Sequence, residues 1–313
     1  KSKYLDDSIA ESTGIWAGRH FETDDAIIFV GACGIAVRSI APYVASKKSD
    51  PAVLVIDECG KFVISLLSGH LGGANELTLE VAELLGAVPV VTTATDLHHR
   101  FAVDVFAKKN CCGIQNMKAA KAVSAALLAG EPVGFYSEFP WTGKLPEGLE
   151  ESSEDTQDKP EIGIAVTIHP TCKPFTSTVQ IIPRVVTLGM GCRRNKEADV
   201  IEKEASVCLA DADIYSQAVE KLTSISIKKD EVGLQKLAED WRIPFITFEE
   251  EELSHAEGEF TPSEFVKKIT GVNNVCERSA VLGAEQGRLI KNKTGRNGVT
   301  TALALRNWEV HFE

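Results

Sequence analysis

Apolar positions in the first part of the chain fall into short unbroken blocks separated by longer mixed segments. Ala26–Val30 (AIIFV) and Ala52–Ile56 (AVLVI) are continuous apolar runs of strand length, the pattern of parallel strands covered on both faces. Phe62–Leu67 (FVISLL) and Val88–Thr92 (VPVVT) predict two more strands. Gly31 to Gly34 turns the chain into a short helix over Ile35–Ala45, weakened near its end by Pro42. A second helix over Ala74–Leu85 sets Leu77, Val81 and Leu84 on one face, and Gly86 fits its C-terminal cap. Strands separated by helices predict a parallel, doubly wound sheet.

The pattern changes in the middle of the chain. Val103–Lys109 and Met117–Ala129 read as helices and Pro132–Tyr136 as a strand. Leu145–Glu161 (LPEGLEESSEDTQDKPE) is acidic and rich in turn formers, which predicts a solvated loop or a partly disordered insertion. Alternation then resumes. Arg184–Leu188 is a strand, Gly189-Met190-Gly191 a turn, and Lys196–Leu209 a helix. The strand Ile225–Ile227, the helix Glu231–Asp240 and the strand Pro244–Thr247 follow. Thr261-Pro262-Ser263-Glu264 opens another helix, with Thr261 or Ser263 as its cap, and Val299–Leu305 is the closing strand. The expected fold is α/β: two doubly wound Rossmann-like α/β lobes, residues 1–100 and 184–313, joined by a smaller α/β middle region, 101–183, that carries the acidic loop 145–161.

Length and composition narrow the function. A chain of 313 residues is long enough for two or three lobes. The net charge of −12 argues against broad nucleic-acid binding, which needs a basic face. It leaves room for an anionic small molecule held by local cations and amides. No run reaches the roughly 20 apolar residues that span a bilayer, so no membrane partner is expected. The first residues lack the pattern of a signal peptide, although the chain begins with Lys1 rather than Met. The eight cysteines include no C-x-x-C pair, which fits a reduced, cytoplasmic setting with no metal site.

Three strand–glycine–helix junctions are candidate sites, because open α/β sheets bind ligands beyond the carboxyl ends of their strands. The first holds Gly31, Gly34 and Arg38, and reads either as a tight turn or as an anion site. The second, Ser68-Gly69-His70-Leu71-Gly72-Gly73-Ala74-Asn75, places one imidazole among three glycines. His70 is then a candidate acid or base, with a structural histidine as the alternative. Asn75 either orients a carbonyl or satisfies the helix start. The third holds Gly189, Gly191, Arg193 and Arg194. Arg194 occupies the third glycine position of a dinucleotide fingerprint, which argues against a nicotinamide oxidoreductase. Paired guanidinium groups instead suit carboxylates. The chain has no G-x-x-x-x-G-K-[ST] loop and no G-x-S-x-G elbow. His98 and His99, adjacent on an extended segment, are expected at the surface.

These runs carry a family resemblance. GACGIAVRSIAP (Gly31–Pro42), KKSDPAVLVIDE (Lys47–Glu58), FVISLLSGHLGGANEL (Phe62–Leu77) and VVTTATD (Val90–Asp96) resemble the first module of the cobalt-precorrin-5A hydrolase family, CbiG. GMGCRRN (Gly189–Asn195), KKDEVGL (Lys228–Leu234), VCERSAVLGA (Val275–Ala284) and GVTTALA (Gly298–Ala304) are similar to its third module. The family commonly has glycine where Asn195 stands; here a polar residue is expected to cap the next helix. The family also usually begins with an additional strand and helix.

The resemblance implies a cobalt-containing tetrapyrrole substrate with many carboxylate arms. It implies opening of a δ-lactone by water and loss of a two-carbon fragment as acetaldehyde, giving cobalt-precorrin-5B on the anaerobic route to cobalamin. The cobalt travels with the substrate, so no cofactor is implied. In this reading His70 is the acid–base group, Asp57, Glu58 or Asp96 orients it, and amides around Gly69–Gly73 receive the oxyanion. Gly31, Gly34, Arg38, Ser68, Gly69, Gly72, Gly73, Asn75, Gly189, Gly191, Arg193 and Arg194 bind substrate, with Lys228, Glu277 and Lys291 as weaker candidates. A homodimer is compatible with this reading. The competing reading is a non-catalytic corrinoid carrier, because the closing module also resembles the stand-alone protein CobE.

Overall fold

The computed structural model describes residues 11–46, 49–70, 72–93, 101–153, 158–263 and 271–312. The chain folds as two compact units, Lys1–Lys108 and Lys109–Glu313.

The first unit runs α1 (Thr13–Phe21), β1 (Ala26–Val30), α2 (Cys33–Ile40), β2 (Ala52–Ile56), β3 (Phe62–Leu67), α3 (Ala74–Leu85) and β4 (Val88–Val90), and α4 (Val103–Lys109) follows. The strands lie in the order β1-β2-β3-β4. Helices cover both faces of the sheet at β2, whereas β1 leaves Ile28 and Val30 exposed on one face, so its expected burial on both faces is corrected. Val53 and Val55 pack with Ala17, Phe21, Ala36 and Ile40 of α1 and α2, whereas Leu54 and Val63 pack with Ala74 and Ala82 of α3.

The expected all-parallel sheet is corrected here. β1 pairs with β2, and β3 with β4, in parallel, but β2 and β3 are antiparallel. The cause is the connection. Only Asp57–Lys61 joins β2 to β3, and a parallel crossover needs about a dozen residues. Gly60 takes the left-handed turn at φ 64°. The Asp57 carboxylate accepts the amides of Cys59 at 3.1 Å and Phe62 at 2.6 Å. The reversal sorts the loops by sheet end. The exits of β1 and β2 lie at one end, and those of β3 and β4 at the other.

The second unit contains two five-stranded sheets. The first is built from β5 (Cys112–Gln115), β6 (Val133–Ser137), β8 (Leu149–Glu151), β9 (Ile162–Val166) and β10 (Ser177–Pro183), in the order β5-β10-β9-β6-β8. Helix α5 (Met117–Ala129) lies against it, and β7 (Trp141–Thr142) pairs with β16 (Val310–His311). The acidic segment is not wholly a solvated loop. Its Leu149–Glu151 pairs in parallel with β6, and Leu149 is buried.

The closing sheet has the order β13-β12-β11-β15-β14. Its parallel part is β11 (Val186–Cys192), β12 (Val219–Ile225) and β13 (Phe245–Phe248), with helices α6 (Ala198–Asp211), α7 (Val232–Trp241), α8 (Glu250–Ser254) and α9 (Cys276–Gly283). β14 (Arg288–Arg296) and β15 (Val299–Leu305) add an antiparallel hairpin, so this sheet is mixed as well. α9 covers the face that carries Gly189, and α6 covers the face of Met190 and Thr301. The helix expected from Thr261 falls on residues 264–270, outside the described residues. Among the described residues, no helix is long and apolar enough to cross a membrane.

Gly189 is buried where a methyl group would collide with the carbonyl oxygen of Cys276 in α9. Gly189→Ala should therefore lower stability by about 1–3 kcal/mol, seen as an earlier urea midpoint. Gly295→Ala is the control, because its nearest neighbour, Thr300, would stand at an ordinary 3.6 Å.

Candidate active site

The loop between β3 and α3 is shaped by close packing. Ser68 and Gly73 both take left-handed backbone, at φ 59° and 83°. A methyl group at Gly69 would stand 2.7 Å from Asn75 Oδ1, and one at Gly72 would collide with the Ser68 side chain. The loop also satisfies the amides at its helix end. Ala74 donates to the Ser68 carbonyl at 3.1 Å, Asn75 to Gly69 at 2.9 Å and Gly73 to His70 at 3.1 Å. Asn75 is buried; its Oδ1 accepts from Ser65 Oγ at 2.7 Å and its Nδ2 donates to Thr93 Oγ1 at 3.0 Å. These bonds tie β3 to the exit of β4, so Asn75 holds the loop instead of orienting a carbonyl. Ser68 Oγ is buried with no hydrogen-bond partner among the described residues, an unusual state for a hydroxyl.

His70 Nδ1 stands 3.5 Å from Asp104 Oδ1, and each side chain is only 17% exposed. Asp104 lies in the first turn of α4. A carboxylate facing Nδ1 favours the proton on that nitrogen and leaves the lone pair on Nε2. Asp57 and Glu58 do not serve His70. They close β2 at the end of the sheet opposite to the Ser68–Gly73 loop, because β3 runs back along β2. Asp57 is engaged in its turn, and the Phe62 amide holds its carboxyl below the usual carboxylate range. Asp96, His98 and His99 lie outside the described residues. Lys108, one helical turn beyond Asp104, also reaches this loop: a methyl group at Gly73 would stand 3.1 Å from its Nζ. Sequence reading missed Asp104 and Lys108. Their i, i+4 spacing on a helix was the available signal.

The first junction is at the other sheet end. Gly31, at φ 143°, opens onto a cavity of about 330 Å³ walled by Trp16, Ile28, Val30 and Ile35 with Glu11 and Thr13 beside them, a lining with an acid and no cation that is ill suited to an anion. Arg38 turns back along its own helix and donates to the Gly34 carbonyl at 3.2 Å.

The third junction, in the second unit, opens onto a cavity of about 770 Å³ lined by Gly191, Arg193, Arg194, Lys228, Lys293 and Arg296. Lys228 pairs with Glu231 at 2.9 Å and Arg296 with Asp211 at 3.2 Å. Among the described residues, the side-chain cations of Arg193, Arg194 and Lys293 form no ion pair with a carboxylate within 4.0 Å. Cations therefore outnumber acids at this wall. Burial pushes the Cys192 thiol up to about 11 and the Cys276 thiol up to about 12, so neither is a thiolate nucleophile at neutral pH.

Several expectations change in this unit. Gly189 is filled by helix packing and does not meet the cavity. Glu277 is fully buried, and its oxygens accept from Thr261, Asn274 and Lys293, which leaves nothing for a ligand. Lys291 donates to the Cys208 carbonyl and lines a different cavity, of about 1300 Å³, with His169, Arg288 and Trp308. Asn195 does not cap α6, whose N-cap is Glu197. It sits at φ 55°, a left-handed position that asparagine tolerates and glycine favours. Among the described residues, no group of three or more His, Cys, Asp or Glu is placed to hold a metal.

The chain matches three family profiles in succession: Cobalamin synthesis G N-terminal over residues 16–96, Cobalamin biosynthesis central region over 101–183 and Cobalamin synthesis G C-terminus over 186–304. It is 37% identical to a cobalt-precorrin-5A hydrolase of Salmonella typhimurium, over 92% of this chain and 84% of that one. It is 35% identical to a cobalt-precorrin-5A hydrolase of Priestia megaterium, over 90% of this chain and 79% of the relative. A crystal structure of a cobalamin biosynthesis protein G homologue from Sulfolobus solfataricus aligns with a TM-score of 0.37 and 24% identity, over 91% of this chain and 83% of that one.

The bonds around Asp57 give a pH test of the hairpin. Its carboxyl is held low in the folded state. The stabilisation is therefore present above the unfolded value of about 4 and is lost as pH falls through the lower, folded value. Asp57→Ala should melt earlier than the parent at neutral pH, and the two melting curves should converge as the pH is taken well below about 4.

Proposed function

The chain belongs to the cobalt-precorrin-5A hydrolase (CbiG) family, and from that premise we propose that it opens the δ-lactone of cobalt-precorrin-5A and releases acetaldehyde, leaving cobalt-precorrin-5B. The observation that carries this reading is the pairing of His70 with Asp104 beside a glycine-rich loop. It supplies one oriented base where a reacting carbonyl can come close to the backbone.

In this reading, Asp104 fixes the His70 imidazole with its proton on Nδ1. Nε2 takes a proton from water as the water oxygen adds to the lactone carbonyl carbon, and the carbonyl electron pair moves onto oxygen. Collapse of that intermediate breaks the ring C–O bond. The alkoxide receives the proton from Nε2, so the imidazole is neutral again. Deprotonation of the new alcohol then drives its oxygen electrons into a C=O bond. The adjoining C–C bond breaks, the two-carbon fragment leaves as acetaldehyde, and the bonding pair passes to the conjugated macrocycle, which is protonated. Atoms balance with one water consumed. The cobalt remains part of the substrate throughout.

The cavity around Arg193 and Arg194 suits carboxylate arms, because guanidinium groups meet carboxylates through two parallel hydrogen bonds. Its cationic side chains complement an acidic ligand although the chain as a whole is acidic.

Incubation with cobalt-precorrin-5A and an aldehyde trap should yield acetaldehyde in step with loss of the lactone. His70→Ala should lower turnover about 10²–10⁴-fold with an unchanged melting temperature. Arg194→Glu should raise KM about tenfold, the loss of one charge-assisted contact, with a smaller effect on kcat. Binding of the macrocycle by the parent with no aldehyde formed would mean a carrier and not a hydrolase.

A further inference from the structure

The loop that would receive the oxyanion has fewer amides to offer than its glycines suggest. Those of Gly73, Ala74 and Asn75 are already bonded to the carbonyls of His70, Ser68 and Gly69. Gly69 and Gly72 are the loop glycines whose amides make no backbone hydrogen bond among the described residues. Two neutral donors are a modest counter to a full negative charge, since hydrogen bonds to charged groups contribute only about 1.5–3 kcal/mol each.

A cation stands against the same loop, at Gly73. A methyl group at Gly73 would lie 3.1 Å from Lys108 Nζ, so the ammonium rests against the loop backbone. Gly73 is at φ 83°, a conformation that also favours glycine there. Lys108 follows Asp104 by four residues on α4, and residues so spaced share one helix face. The two side chains therefore have different duties: Asp104 faces the imidazole, and Lys108 faces the glycine backbone. Among the described residues, Lys108 has no carboxylate within 4.0 Å.

We propose that Lys108 is the electrophilic group of this site, placing its ammonium on the lactone carbonyl oxygen and then on the carboxylate that hydrolysis creates. The proposal rests on the hydrolase reading above. When water adds, the carbonyl electron pair moves to an oxygen that meets Nζ, and no proton need leave the lysine. When the ring C–O bond breaks, the same oxygen becomes part of the product carboxylate and stays paired with Lys108. The site should therefore bind an open δ-hydroxy acid through its carboxylate, even without the macrocycle.

Two readouts on the full chain test this. Lys108→Met should lower kcat for acetaldehyde release about 10²–10³-fold, the effect of losing one transition-state donor. Lys108→Arg should restore part of it, and added methylammonium should rescue Lys108→Met. Independently, δ-hydroxyvalerate should shift the amide resonances of Gly69 and Gly72 in the parent and in Lys108→Arg, and leave them unmoved in Lys108→Met. Turnover by Lys108→Met within about twofold of the parent, or equal resonance shifts in parent and Lys108→Met, would overturn the proposal and leave the hydrolase reading standing. Lysine-dependent shifts in a parent that forms no acetaldehyde would overturn the hydrolysis role, and with it the reading it rests on, and would leave only a carboxylate site.

Discussion

The antiparallel pairing of β2 with β3 governs the first unit. Five residues, Asp57–Lys61, are too few to carry the chain back across the sheet, so β3 must return beside β2. Its exit then falls at the sheet end where β4 also leaves. The glycine loop, the Asn75 bridge to Thr93 and the His70–Asp104 pair all gather there. The Gly31 junction, Arg38 and Asp57 are left at the far end. One short turn thus separates two glycine junctions that the sequence presents as equals, and brings the His70–Asp104 pair to only one of them.

Parts of this arrangement were legible in the chain. The run AVLVI announced a buried strand because helices cover both of its faces, so no polar alternation dilutes the pattern; AIIFV looks the same in sequence, yet one of its faces, with Ile28 and Val30, is exposed. The glycine-dense loop announced itself through spacing alone. Strand direction was less visible, yet the signal existed: a short acidic and glycine-bearing link between two apolar runs is a hairpin pattern. β14 was hidden for a different reason. It is an edge strand, and its sequence RLIKNKTGR carries only a few apolar side chains where neighbours require them. Leu149–Glu151 was masked by its acidic surroundings, although the buried Leu149 is what seats it beside β6.

The partner of His70 could not have been read from strand order. Asp104 reaches the imidazole because α4 brings its first turn to the loop, a matter of tertiary packing. Glu277 shows the converse. A carboxylate in a run shared with the family looks like a ligand group, but complete burial and four satisfied donors make it a brace between Thr261, Asn274 and Lys293. A buried carboxylate that meets no cation among the described residues is tolerated when its lone pairs are met in this way. In the second unit, the exposed Arg193 and Arg194 keep their donors available, and they gain meaning from the cavity they border.

The account stands on His70 and Asp104 acting as one unit. A double-mutant cycle on aldehyde release addresses that directly, with His70→Ala, Asp104→Ala and the combined variant compared at saturating substrate. Groups that work as a unit are strongly non-additive, so the combined variant should turn over no more slowly than His70→Ala alone. Losses that simply multiply would mean that Asp104 contributes independently of the imidazole, and would contradict the account.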